Sequence, residues 1–321
     1  MDYPCPLMPG RQLAVIRDSQ VARLVILIGL IVSCTAPRAR PMSGAASSTV
    51  SPVPRPGSAA PAPDAPVSRR TGTPSAQSNA GSPPIVFLDP GHGGEDTGTI
   101  GLTEDGMVVE EKTVALALAL RTAGRLRAAG IGVVLSRTDD RLPGAQPSDY
   151  TADGTTLTAD GVLADLQRRI DRANASGARV LLSIHLNAYD DPSVRGTETF
   201  YDPSRPFASE SYRFARLVQT SVVQALRQNG YDTPDRGVSD DTDLIADRLG
   251  ALDPSYHHLV LLGPGVPGQL RPSTMPGALN EVFFLTNPAE ATAAATTDMQ
   301  DLIAAAYAQA IEQFLRGARS P

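Results

Sequence analysis

Short apolar stretches alternate with helix-forming stretches from Ile85 to the C-terminal region. The apolar stretches that predict strands lie at 85–88, 131–136, 180–185, 196–201, 258–262 and 279–285. Helix-forming segments lie between them, and glycines that favour helix termination close them at Gly130, Gly177, Gly230 and Gly317. This alternation predicts an α/β fold, a three-layer α/β/α sandwich around a mostly parallel, mixed sheet.

Residues 1–34 have the pattern of an export signal. Three arginines precede an apolar run at 24–32, which has the length of a signal-peptide core and is short for a bilayer span. The run ends in Ile31-Val32-Ser33-Cys34, which resembles the bacterial lipobox, where the cysteine is diacylated. We therefore predict export to the cell envelope with a lipid anchor on Cys34. A plain secretory signal and an uncleaved anchor are the alternatives, and Met8 is an alternative start.

The composition then changes twice along the chain. Residues 35–84 are rich in Pro, Ala and Ser, and such a segment is predicted to be a disordered linker. Residues 85–321 form the predicted folded domain, and 41% hydrophobic residues in the whole chain suffice for a core. The net charge of −6 and the scattered basic residues argue against a nucleic-acid partner. Cys5 and Cys34 both precede this domain, so we expect no disulfide within it.

Two histidines stand at the carboxyl ends of predicted strands, where open α/β sheets place their ligand sites. His92 lies in "IVFLDPGHGG" among three glycines, and His185 lies in "VLLSIHLNA". Glu111 precedes a predicted helix, and Glu281 interrupts an apolar strand. Two histidines and a glutamate suffice to bind a catalytic zinc, and a further glutamate can act as general base.

Each of these residues also has an ordinary structural interpretation. His92 could be a core histidine bonded to backbone, Glu111 could favour a helix N-terminus, and Glu281 could pair with an arginine. Spacing alone does not show that the side chains converge. His257 and His258 would point to opposite faces of a strand, so at most one could approach a metal, and we expect surface positions for both.

A series of motifs carries a family resemblance. In order they are "DPGHGG", "VEEKTVALAL", "SRTDD", "LADLQRRIDRAN", "VLLSIHLNA", "GTETFY", "DRGVS" and "MPGALNEVFFLTNPAEA". Together they resemble the zinc-dependent N-acetylmuramoyl-L-alanine amidases of the amidase-3 type, over nearly everything from Ile85 onward. The resemblance implies hydrolysis of the amide between N-acetylmuramic acid and L-alanine in peptidoglycan.

The resemblance also assigns the site. It implies Zn²⁺ as cofactor, with His92, Glu111 and His185 as its ligands. Glu111 is chosen over its neighbour because the family's ligand directly precedes a lysine, here Lys112. The resemblance further implies that Glu281 takes a proton from the attacking water and returns it to the leaving nitrogen.

Asp89 and Asn187 flank the implied ligands and are predicted to orient them. Asp89 has an alternative interpretation, in which it only shapes the Asp-Pro-Gly turn.

Departures from the family pattern leave other functions open. Phe283 stands where the family more often has glycine, so the packing beside Glu281 must differ. The segments 142–161 and 238–275 exceed ordinary loop lengths and are predicted to be functional insertions or covers. A zinc hydrolase of another amide and a non-catalytic peptidoglycan-binding module are the alternatives; a module without turnover would not need Glu281. The sequence does not specify whether an activator is required.

Overall fold

The computed structural model describes residues 83–243 and 256–317. The predicted signal peptide with its lipobox, residues 1–34, and nearly all of the predicted linker lie outside these ranges. Within them, none of the helices combines the length and the hydropathy that a membrane crossing requires.

Six strands form the main sheet, and two short strands form a separate hairpin. The main strands are β1 (Ile85–Pro90), β4 (Gly132–Leu135), β5 (Leu181–Asn187), β6 (Thr197–Tyr201), β7 (Asp235–Asp240) and β8 (Gly277–Phe284), and the hairpin strands are β2 (Ile100–Leu102) and β3 (Val108–Glu110). The order in the main sheet is β4-β1-β5-β8-β6-β7. Only the β6–β8 pair of this sheet is antiparallel, so the prediction of a mostly parallel, mixed sheet is confirmed.

Helices cover both faces of the sheet. They are α1 (Glu111–Ala128), α2 (Ala159–Ala175), α3 (Ala208–Gln228), α4 (Pro288–Ala295) and α5 (Thr297–Gly317). Helices α1, α3 and α5 pack on one face, where Leu88 joins their apolar side chains in a single core. Successive strand residues point to opposite faces, and Asp89 accordingly meets Arg169 of α2 on the other side. This arrangement is the predicted α/β/α sandwich.

The prediction of a strand at His258–Leu262 is wrong, because these residues form turns. Leu259 to Leu262 are nonetheless buried, so the apolar run reflects burial and not an extended strand. The strand at this edge of the sheet is β7. Its sequence, DRGVSD, is polar and only half buried, so it shows no hydrophobic alternation. The short hairpin β2–β3 escaped prediction for a similar reason, because most of its apolar residues are exposed.

The two long segments are packed where they are described. In 142–161, Leu142 and Leu157 are buried, and the carboxylate of Asp149 accepts from Arg168 at 2.9 Å. The Tyr150 hydroxyl in the same segment donates to Glu95 Oε2 at 3.1 Å, beside the loop that carries His92. In the other segment, the leucines of residues 256–275 are buried. Neither described part is a loose loop.

Candidate metal centre

The loop after β1 holds His92 in a strained conformation. His92 has φ 58°, the only positive φ at a non-glycine residue in the described ranges. Strained backbone of this kind occurs mainly at functional sites. Gly91 allows the loop to pass under His185, because a Cβ at Gly91 would lie 2.2 Å from His185 Cε1. Two buried guanidinium groups fix the loop: Arg137 donates to Gly91 O at 2.8 Å and Arg169 to His92 O at 2.7 Å.

Three side chains converge beside this loop. Glu111 Oε1 lies 3.1 Å from His92 Nε2 and 2.9 Å from His185 Nδ1. All three residues are buried. Ligand atoms about 2.0–2.2 Å from a tetrahedral zinc lie about 3.3–3.6 Å apart. The two imidazole nitrogens and the carboxylate oxygen therefore have the chemistry and approximately the spacing of a zinc site, and they form one group that could hold a metal ion.

Further hydrogen bonds orient these three residues. Asp96 Oδ2 accepts from His92 Nδ1 at 2.9 Å, which leaves the Nε2 lone pair available to a metal. The Thr99 N–H donates to Glu111 Oε2 at 2.8 Å and the Leu186 N–H donates to Oε1 at 3.0 Å. Sequence reasoning missed Asp96. Its one signal was a carboxylate four residues after His92 in the same glycine-rich loop.

The charges in this group stabilise one another. Burial alone would lower the pKa of His92, but the Asp96 and Glu111 carboxylates outweigh it and raise that pKa well above its ordinary value. Burial would likewise raise the pKa of Glu111, yet His92 and His185 hold it well below its usual range. The site is thus electrostatically suited to a bound cation, with Glu111 ionised at neutral pH.

Glu281 lies next to this group without belonging to it. It is the register partner of His185 across β5–β8 and of Glu198 across β6–β8. Glu281 is 4% exposed, and its Oε2 has no hydrogen-bond partner among the described residues. Burial, with help from the Glu111 and Glu198 carboxylates and against His92, raises the pKa of Glu281 well above its usual range. A buried carboxyl group with a raised pKa is suited to accepting and returning a proton.

Asp89 and Asn187, the remaining predicted residues, are hydrogen-bonded to other groups. Asp89 accepts from Arg169 at 2.9 Å and from Ser183 at 2.8 Å, so it reaches His92 only through the guanidinium that holds the loop. Asn187 accepts from the Ala188 N–H at 2.7 Å and makes no hydrogen bond to the three converging residues in the described structure. Orientation of the ligands by Asp89 and Asn187 stays a prediction.

Two other sequence observations have a structural outcome. Glu110 lies 3.6 Å from Lys112 Nζ and outside the converging group, in agreement with the choice of Glu111. Phe283 is fully buried, and its ring packs against Tyr231 with centroids 5.4 Å apart. It stands within a register shift of β8 against β5, between the residues paired with His185 and Asn187. A bulge of this kind re-aims neighbouring side chains, and Phe283 lies in the apolar core.

His257 is exposed, as expected, but His258 is partly buried between Asp202 and Asp241. The expectation of a surface position is therefore wrong for His258, because the segment that carries it packs as turns against the end of β6. His258 has no contact with the group around Glu111.

Comparison with known proteins agrees with this geometry. A family model described as N-acetylmuramoyl-L-alanine amidase matches residues 86–313. The chain is 31% identical over 230 residues to the germination-specific N-acetylmuramoyl-L-alanine amidase of Bacillus subtilis, covering 72% of this chain and 79% of that protein. It is 27% identical over 267 residues to the N-acetylmuramoyl-L-alanine amidase AmiC of Neisseria meningitidis serogroup B, covering 79% of this chain but only 58% of AmiC.

Solved structures show the same relationship. The N-acetylmuramoyl-L-alanine amidase from Clostridium difficile 630 superposes with a TM-score of 0.52 at 29% identity, covering 74% of this chain and 98% of that one. The CwlD amidase from Clostridioides difficile, in complex with the GerS lipoprotein, gives 0.53 at 25% identity, covering 73% and 99%. The family match spans well over half of the chain, and the chain therefore belongs to the N-acetylmuramoyl-L-alanine amidase family of the amidase-3 type.

Proposed function

We propose that this chain is a zinc-dependent amidase that hydrolyses the bond between N-acetylmuramic acid and L-alanine in peptidoglycan. The observation that carries the proposal is the convergence of His92, Glu111 and His185 within 3.1 Å contacts. Glu281 lies alongside, and its Oε2 has no hydrogen-bond partner among the described residues. Membership of the amidase family supplies the substrate class.

Each residue of the site has its own role in the proposed reaction. His92 Nε2, Glu111 and His185 Nδ1 would hold the zinc, which when bound polarises a carbonyl and lowers the pKa of a water molecule. Asp96 keeps His92 in the tautomer that presents Nε2. Glu281 accepts a proton at Oε2 from the attacking water and then donates it to the leaving nitrogen, which departs as the amino group of L-alanine.

The test is digestion of purified peptidoglycan by the purified full-length chain, with the products identified by mass and the zinc content measured on the same sample. We expect one zinc ion in the His92 site and release of stem peptides with a free L-alanine amino terminus. Cleavage of soluble N-acyl peptides but not of peptidoglycan would favour another amide as substrate. Binding to peptidoglycan without any cleavage would favour a non-catalytic module and contradict the proposal.

We also propose that the chain is exported and anchored to a membrane through Cys34. The support is the arginine-preceded apolar run that ends in Ile31-Val32-Ser33-Cys34. Metabolic labelling with a radioactive fatty acid should label the wild-type chain in a bacterial host, and Cys34→Ser should abolish the label. Equal labelling of both chains, or of neither, would contradict the lipid anchor.

A further inference from the structure

A second group of side chains, of types that bind metal ions, lies at the edge of the main sheet that ends with β7. Asp202 follows β6 and Asp241 follows β7, and these parallel neighbours end side by side, with Tyr201 paired to Asp240. Because β6 runs antiparallel to β8, this end of β6 lies towards the amino end of β8. Asp202 is four residues beyond the Glu281 partner Glu198, which corresponds to about 13 Å of strand. The two groups are therefore separate sites.

His258 completes the group from the described segment that begins at Tyr256. Its Nδ1 lies 2.9 Å from Asp202 Oδ2 and 3.4 Å from Asp241 Oδ1. One ligand atom from each of the three residues lies within 4.8 Å of the others. We propose that Asp202, Asp241 and His258 bind a divalent metal ion, with Zn²⁺ suited to this mixed set of one nitrogen and two oxygens.

The described protein atoms leave one carboxylate oxygen of this group without a hydrogen bond. Asp202 is 2% exposed and Asp241 is 0% exposed. Asp202 Oδ1 accepts from the Ser204 N–H and hydroxyl, both at 2.6 Å, and Asp241 Oδ2 accepts from the Leu259 N–H at 3.0 Å. Asp202 Oδ2, in contrast, points into the group and has no hydrogen bond of acceptable geometry among the described residues. A buried carboxylate oxygen in that state is costly.

The charged side chains of the group also favour a bound cation. The group brings two buried carboxyl groups together around a single imidazole. Arg205 is close enough to act electrostatically on Asp202, but its guanidinium donates to the carbonyls of Leu262 at 3.1 Å and Ser273 at 2.6 Å. A divalent cation would satisfy all three facing lone pairs and compensate the charge.

The position of the group indicates what the ion would do. Asp202, Asp241 and His258 would hold the ion, and the His258 side chain is only 18% exposed. The ion would connect the ends of β6 and β7 to the segment that begins at Tyr256, which Arg205 already holds through its carbonyl contacts. The site is thus a structural one, remote from Glu281.

The experiment is a zinc count on the purified full-length chain after stripping with EDTA, reloading with excess ZnCl₂ and gel filtration. We expect two zinc ions per wild-type chain, one in His92→Ala, one in Asp202→Asn, and none in the double variant. The matched control is Asp160→Asn, an exposed carboxylate of α2, which should keep both ions. His258→Gln is the second variant, in case Asp202→Asn does not fold.

A second readout separates a built site from loose surface binding. In the His92→Ala background, zinc can occupy only the second site, and a hundredfold excess over its Kd should raise the Tm by about 5 °C. The same addition should leave the Tm of His92→Ala/Asp202→Asn unchanged. A single zinc ion per wild-type chain that disappears in His92→Ala and persists in Asp202→Asn would overturn the proposal, whatever the outcome of peptidoglycan digestion.

Discussion

Glu281 stands directly beside His185 in the register of β5 and β8, so the proposed general base and a proposed metal ligand are fixed by the same pair of parallel strands. Adjacent strands lie about 4.8 Å apart, which places the Glu281 carboxyl group close to the converging ligands without making it one of them. Sheet register, and not a flexible loop, therefore sets the distance between the proposed base and the proposed metal site.

Glu281→Gln should reduce kcat for peptidoglycan hydrolysis by about 10²- to 10⁴-fold, because the amide keeps the shape of the side chain but cannot accept the proton. The zinc content should be unchanged, since Glu281 lies outside the three-residue group. Glu110→Gln is the matched control, because Glu110 is a neighbour of the ligand Glu111 that faces Lys112. A Glu281→Gln enzyme with the wild-type rate would remove Glu281 from the mechanism.

Asp96→Ala should weaken zinc binding by about 10- to 100-fold, because the His92 Nδ1–H loses its acceptor and the ring loses its orientation. Activity should return when the free zinc concentration is raised, which a defect in the chemical step would not allow. A chelator competition gives the affinity, and Asp139→Ala is the control in an exposed carboxylate of the same sheet edge. Equal zinc affinity in Asp96→Ala and wild type would show that Asp96 does not position His92.

The sequence predicted the site residues that lie at the ends of strands. His92 and His185 end predicted strands, and parallel strands that end at one edge bring their last residues together. The choice of Glu111 over Glu110 needed the family resemblance, because both precede the same helix. Asp96 could not be separated from other loop carboxylates, since its role depends on the backbone strain at His92. The Asp202 group was missed because β7 is a polar edge strand and His258 begins a stretch whose apolar pattern mimics a strand.

Gly98 lies in the left-handed region with φ +63°, as Gly106 does with φ +84°. Only at Gly98 would a Cβ meet the site, at 2.6 Å from both Glu111 Oε2 and His92 Cδ2. Both Gly98→Ala and Gly106→Ala should lower the free energy of unfolding by about 1–2 kcal/mol through backbone strain. Only Gly98→Ala should also weaken zinc binding, by at least about tenfold. Parallel urea titrations and zinc competition test the pair, and equal zinc affinities would show that the ligands tolerate the methyl group.

Glu290 makes the stability of the domain depend on pH. It is fully buried, and it accepts from the backbone N–H groups of Gly196 at 2.8 Å and Phe284 at 2.7 Å, next to the strand of Glu281. Burial raises the pKa of Glu290 from 4.5 to about 7, although both N–H donors favour the ionised form. The folded chain therefore binds this proton more tightly than the unfolded chain does.

The sign of the effect follows from that difference. Protonated Glu290 stabilises the folded chain fully below about pH 4.5, and this stabilisation is lost as the pH rises through about 7. The loss in the free energy of unfolding reaches about 3 kcal/mol. Glu290→Gln removes the titrating group, so the free energy of unfolding should change less between pH 5 and pH 8 in this variant than in the wild type. Urea unfolding at several pH values and a fixed zinc concentration measures both slopes. Identical slopes would mean that the charged carboxylate is fully accommodated by its two N–H donors.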